Sequence, residues 1–101
     1  MKPFRDYHIL PAAIQEFRDA RAWYASRKVK GLSNRFAQSV KAAIKQILEN
    51  PGAYTVRYKN VRIAHTEIFP YAIHFVAEND TIIITAIIYD RRDPSITIKR
   101  L

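Results

Sequence analysis

The chain is 101 residues long, 49% hydrophobic and 26% charged, which is the composition of one ordinary globular domain and excludes a disordered segment. It has no cysteine, which rules out disulfides, thiolate nucleophiles and cysteine-held zinc, and its two glycines, Gly31 and Gly52, cannot build a phosphate-cradling loop. Seventeen Lys and Arg against nine Asp and Glu leave a net charge of +8, which favours an anionic partner, either nucleic acid or an acidic protein.

The first residues, Met1-Lys2-Pro3-Phe4-Arg5-Asp6, place an acid where the apolar core of a secretory leader would start. The longest near-apolar run, Thr81 to Tyr89, is far shorter than the roughly 20 residues that span a bilayer. A single cytoplasmic domain over residues 1–101 is therefore expected, with no membrane partner.

Arg5 to Leu10 predicts a short strand. Pro11 suits a first helical position, because its fixed φ fits there and its missing N–H would be unpaired anyway. Ile14, Phe17, Ala20 and Tyr24 then recur at helical spacing, beside Ala13 and Trp23. The helix should fade near Arg27 to Lys30, and Gly31 punctuates it. A second helix begins at Leu32 or Ser33, with a stripe of Phe36, Val40, Ala43, Ile44, Ile47 and Leu48, and Asn50-Pro51-Gly52 stops it. The two helices form a hairpin whose aromatic residues, Phe17, Trp23, Tyr24 and Phe36, are expected in the core. No acid lies between Asp19 and Glu49, while Arg21, Arg27, Lys28, Lys30, Arg35, Lys41 and Lys45 do. That stretch is either a solvated basic face or a binding patch.

Beyond Gly52 the period becomes two. Tyr54 to Lys59 reads as a short basic strand, and Val61 to Ile68, Tyr71 to Glu78 and Thr81 to Tyr89 as longer ones. Phe69-Pro70 and Asn79-Asp80 serve as turns. Ile96 to Leu101 alternates weakly and reads as a tail strand or a frayed end. Counting outward from two-residue turns pairs His65 with His74, and His74 with Thr85. Ile73, Phe75, Ala77, Ile82, Ile84, Ala86 and Ile88 then lie under the hairpin. The other face carries Val61, Ile63, His65, Glu67, His74, Val76, Ile83, Thr85, Ile87, Tyr89 and Arg91. No helix remains to cover it, so an open, half-polar face is expected as the binding surface.

Ala22-Trp23-Tyr24, Gly31-Leu32 with Arg35-Phe36, Ile47-Leu48-Glu49-Asn50-Pro51, Val61-Arg62, Phe69-Pro70-Tyr71-Ala72-Ile73 and Arg92-Asp93-Pro94, taken in this order and spacing, span residues 5 to 94. Together they resemble the RelE/ParE superfamily of toxins from type II toxin–antitoxin modules. The resemblance implies an α+β fold in two layers: an N-terminal strand, an αα-hairpin, then an antiparallel β-meander packed under the hairpin. It places the N-terminal strand beside the last long strand. It further implies a growth-arresting toxin masked by a cognate antitoxin. RelE-like members cut messenger RNA, usually on the ribosome. ParE-like members are described as inhibitors of DNA gyrase.

Metal-free RNA cleavage needs a base for the 2′-hydroxyl, cations for the pentavalent phosphate and an acid for the leaving oxygen. His65 or Glu67 as base, His74 or Tyr89 as acid, and Arg91 with Arg57, Lys59 or Arg62 on the phosphate are the candidates. Arg92 joins the target-contact cations. The plainer reading makes His65 and His74 a cross-strand polar pair, Glu67 a neutralising partner of Arg91 or Lys59, and Tyr89 an ordinary strand aromatic. Neither a metal nor a cofactor is expected. Ribonucleolytic members commonly carry more Lys and Arg on the middle strands, whereas Val61 to Glu78 holds only Arg62. The ParE-like reading is therefore preferred, with the nuclease as alternative and a non-toxic RNA- or protein-binding module third. Val76, Ile83, Ile87 and Tyr89 form the expected apolar strip for an antitoxin with an acidic segment.

Overall fold

The computed structural model describes residues 6–90. Strand β1 (Asp6–Ile9) leads into helix α1 (Pro11–Ser26), helix α2 (Leu32–Glu49), a 3-10 turn (Pro51–Ala53), and strands β2 (Val56–Tyr58), β3 (Val61–His65), β4 (Tyr71–Glu78) and β5 (Thr81–Tyr89). The sheet order is β1-β5-β4-β3-β2. β1 runs parallel to β5, from Asp6↔Thr81 to Ile9↔Ile84, and every other pairing is antiparallel. This is the α+β architecture that the resemblance implies.

Local chemistry sets the element ends. Pro11 opens α1, and the extended Leu10 before it offers its carbonyl to the N–H groups of Ala13 and Ile14. Between the helices Lys28 and Gly31 both take positive φ, 59° and 77°. Gly31 precedes α2 and accepts the Arg35 N–H on its carbonyl. A Cβ there would meet nothing within 4 Å, so it is the left-handed backbone that favours glycine. Phe36, Val40, Ala43, Ile44 and Ile47 bury the predicted stripe of α2 against Ala64, Ile73, Phe75, Ile82 and Ile84 of the sheet. Trp23 departs from its expected place in the core. It is 52% exposed, whereas Tyr24 and Phe36 are buried and Phe17 packs at the margin.

The sheet register differs from the two-residue-turn count in two places. The Asn79-Asp80 turn is as expected: both residues have positive φ and Glu78 pairs with Thr81, as in a type I′ hairpin. Past Phe75↔Ile84, however, the next pair is His74↔Ala86, leaving Thr85 as a bulge. The Thr85 hydroxyl donates to the His74 carbonyl, 3.3 Å, at the irregularity. One extra residue reverses the alternation. Ile87 and Tyr89 therefore turn towards the helices, opposite Ile73 and Tyr71, and Ala86 and Ile88 turn away.

The second difference is the β3–β4 connection. β3 stops at His65, and residues 66–70 form a five-residue loop. Thr66 captures the chain: its N–H donates to the Tyr71 carbonyl and its hydroxyl to the Phe69 carbonyl. His65 consequently faces Ala72, and Ile63 faces His74. The face away from the helices is also not open. Val61, Ala72, His74, Val76, Ala86 and Ile88 are all buried. Small Ala72 and Ala86 lie low between larger ladder neighbours, and the Tyr58 ring of β2 leans over His74.

Candidate functional site

The four acid–base candidates, His65, Glu67, His74 and Tyr89, do not converge on one point. His74 is 3% exposed in the middle of β4, and its Nδ1 shares a 2.8 Å hydrogen bond with the Tyr58 hydroxyl. His65 is exposed at the end of β3, where Nδ1 lies 3.7 Å from Asp90 Oδ2. Glu67 is exposed in the 66–70 loop, and its main-chain carbonyl accepts the Ser39 hydroxyl of α2. Tyr89 stands on the helix side of the sheet, its ring edge-on to Tyr71 at 6.1 Å. Arg91 and Arg92 lie outside the described residues, as does Ile96 to Leu101. His65 and Glu67 do line one cavity of about 370 Å³, with Arg35, Ser39, Ile68 and Phe69.

The described cations divide as well. Arg57 on β2 and Lys59 in the turn after it are exposed. Arg62 is half-buried and donates from Nη1 to the Tyr54 carbonyl, so it ties the segment after α2 to β3. Of the four residues chosen as an antitoxin strip, Val76 and Ile83 form one ladder pair on the far face, Val76 buried and Ile83 half-buried. Ile87 is 1% exposed in the core, and Tyr89 is 45% exposed on the helix side. They do not form one strip, because the Thr85 bulge separates the two pairs.

Two features escaped sequence reasoning. Glu16, on α1, accepts the Ile87 N–H at 3.1 Å. β1 ends at Ile9, and the Leu10 N–H donates to the Ile84 carbonyl before the chain enters α1. Among the described residues no strand pairs with the outer edge of β5 beyond that point, and the Glu16 carboxylate takes its place. An acid on the inner side of an otherwise amphipathic helix was the available signal.

The second is the aromatic end of the molecule. Tyr24 packs on Phe36, Phe69 and Tyr71 with ring centroids 4.9, 5.1 and 6.2 Å away. Burial raises the Tyr24 hydroxyl pKa above its ordinary value, and the neighbouring Tyr71 and Tyr89 add to the effect. Outside this cluster Trp23 lies edge-on to Tyr24, and the Arg27 guanidinium rests over its ring at 4.5 Å. A cleft of about 610 Å³ separates α1 from the start of β4 and the end of β5, lined by Trp23, Tyr24, Pro70, Tyr71 and Tyr89 among others.

Among the described residues no group of three or more His, Cys, Asp or Glu is placed to hold a metal ion. No described helix is long and apolar enough to cross a membrane.

Comparison with known proteins identifies the family. A search of curated protein sequences finds no match. Among solved structures, the chromosomal ParDE toxin–antitoxin system from P. aeruginosa aligns with a TM-score of 0.73 at 15% identity, covering 85% of this chain and 96% of that one. At that identity the likeness speaks for the fold. Residues 7–94 match the family described as the ParE toxin of type II toxin–antitoxin systems, parDE. With nearly its whole length matched, the chain belongs to the ParE toxin family.

Proposed function

We propose that this chain arrests growth by acting on DNA gyrase, without bond-breaking chemistry of its own, and that a cognate antitoxin neutralises it. Family membership supports a toxin with an antitoxin partner. The observation that favours a protein target over RNA cleavage is the dispersal of the acid–base candidates. His74 is buried against Tyr58, and Tyr89 stands on the opposite side of the sheet. A nuclease needs base, acid and cations around one exposed phosphate. Arg57 and Lys59 remain candidate target contacts, and Ile83 and Tyr89 keep enough exposure to serve as antitoxin contacts.

One observation favours the alternative. His65, Glu67 and Arg35 line the same cavity, which brings a base and a cation together. The two readings separate by chemistry. Purified protein should block gyrase supercoiling and leave messenger RNA intact, with or without ribosomes. A ribonuclease using His65 should lose about 10²–10⁴-fold in cleavage on His65→Ala. RNA cleavage that disappears with His65→Ala defeats the gyrase reading. Unimpaired growth on induction of soluble protein defeats the toxin reading and leaves a non-toxic binding module.

A further inference from the structure

A groove of about 370 Å³ runs between β1 and the two helices. Its floor is Val40, Ile44 and Ile87, all buried, and half-buried Ile9, Ile14 and Phe17 make its walls. Tyr7, on the outermost strand and 46% exposed, stands at the mouth. A hollow lined by aliphatic side chains and open to water gains nothing for the fold, and a partner that fills it removes that surface from water.

Only cations rim it. Arg18 and Lys41 are exposed. Half-buried Arg21 donates to the Ser33 hydroxyl at 3.3 Å and to the Asn34 side-chain oxygen at 2.9 Å, both neutral. No ion pair joins any of the three to a described carboxylate. The acids nearest in sequence are turned elsewhere. Successive strand residues alternate, so Asp6 faces away from the side that Tyr7 and Ile9 present to the groove. Each residue of α1 turns by about 100°, which puts Glu16 and Asp19 nearly opposite Ile14, Arg18 and Arg21. Those two acids line the cleft on the other flank of the helix.

The two properties together select the occupant. The floor takes apolar side chains, and the uncompensated cations beside it take carboxylates. An amphipathic helix with aliphatic residues three and four apart and Asp or Glu along its flanks supplies both. Nucleic acid would satisfy the cations and leave the floor empty, because bases need flat aromatic faces to stack on and Tyr7 is the one exposed aromatic in the lining.

We propose that this groove docks the cognate antitoxin through an acidic amphipathic helix, with apolar side chains on Val40, Ile44 and Ile87 and carboxylates on Arg18, Arg21 and Lys41. The proposal rests on the reading that an antitoxin neutralises this chain, and adds the surface and the chemistry of the segment that covers it.

Calorimetric titration of the full chain with the purified product of the adjacent reading frame tests it. The Arg18→Glu, Lys41→Glu pair reverses two exposed charges. It should leave the melting temperature nearly unchanged and weaken affinity about ten-fold or more. Tyr7→Asp, a carboxylate at the mouth, should weaken it as well. Lys28→Glu with Lys30→Glu makes the same change of net charge in the hairpin turn, outside the lining, where about 0.15 M salt screens it. That control should weaken binding less than about two-fold. Equal losses in the two pairs assign the binding to net charge and overturn the groove. Unchanged affinity in Arg18→Glu, Lys41→Glu overturns the groove and leaves the antitoxin reading intact. A product that neither binds the wild-type chain nor restores growth refutes the antitoxin reading, and the proposal falls with it. Loss of gyrase inhibition with antitoxin affinity kept assigns the groove to the target and overturns the proposal.

Discussion

Replacing Glu16 by Ala removes the acceptor that α1 offers to the edge of β5. Ile87 is 1% exposed, so its N–H, 3.1 Å from the Glu16 carboxylate, has little access to water once that oxygen is gone. A hydrogen bond to a charged group contributes about 1.5–3 kcal/mol. Glu16 itself is only half-buried, which places the loss at the lower end, about 1.5 kcal/mol. For a domain of this size each kcal/mol moves the melting temperature by roughly 4–8 °C, so a fall of about 6–12 °C is expected. Glu16→Gln keeps an acceptor without the charge and should recover about half of it. Urea denaturation measures the free energy, and amide exchange locates it: the Ile87 amide should lose protection while the Phe75 amide keeps its own. A stability change in Glu16→Ala below about 0.5 kcal/mol, the noise of ordinary surface substitutions, would refute the bond's assigned role.

Other substitutions probe the hairpin, the bulge and the tyrosines. Gly31→Ala should cost about 1–2 kcal/mol from φ alone, measurable as a shift of the urea midpoint, because the space around it is empty. Ile87→Ala should cost about 2–5 kcal/mol, and Ile87→Glu should leave little folded protein by circular dichroism, since the side chain lies in the core. Were Ile87 on an exposed strip, both would be mild. Burial raises the pKa of Tyr24 and Tyr54 above the ordinary 10.0. Below pH 10 both states keep the phenol protonated. Above it the unfolded chain ionises first and binds fewer protons, so stability should fall as pH rises through 10 and beyond. Tyr24→Phe should flatten that fall in an alkaline denaturation series. His74→Ala should lower stability, as it removes the hydrogen bond that Nδ1 shares with the Tyr58 hydroxyl, yet the soluble fraction should still inhibit gyrase supercoiling.

The helices were legible because their signals are local and redundant. Pro11, Gly31 and Asn50-Pro51 mark ends, and Phe36, Val40, Ala43, Ile44 and Ile47 leave one possible face. The Asn79-Asp80 turn was legible for the same reason. The site was less so, because it turns on the phase of β5. Ile82-Ile83-Ile84 and Ala86-Ile87-Ile88 are apolar on both phases, so nothing in the pattern resists the Thr85 bulge. Sequence counting therefore put Ile87 and Tyr89 on the wrong face and grouped them with Val76 and Ile83. The 66–70 loop failed differently. Phe69-Pro70 has the composition of a tight turn, and the hydroxyl of Thr66 that widens it is visible only with the partners in place. Trp23 was misplaced because its neighbour Tyr24 already fills the inward position, which turns the next side chain outward.

The parallel pairing of β1 with β5 also governs the order in which this chain becomes a protein during synthesis. The strand between β1 and the central β4 is β5, the last described strand to be made, and it is the strand that β1 must wait for. At about 5–20 residues per second, a ribosome needs roughly 5–20 seconds to produce a chain of this length. For most of that time the hairpin has only part of its sheet to pack on, and Asp6 to Ile9 have no strand to join. The loop bearing Ile68 emerges earlier, but Phe69 beneath it closes on a core that Ile82, Ile84 and Ile87 complete. A nascent chain stopped before β5 therefore lacks the strand that joins β1 to β4 and the three isoleucines that complete the core. Completion of the fold is therefore deferred until synthesis is nearly finished.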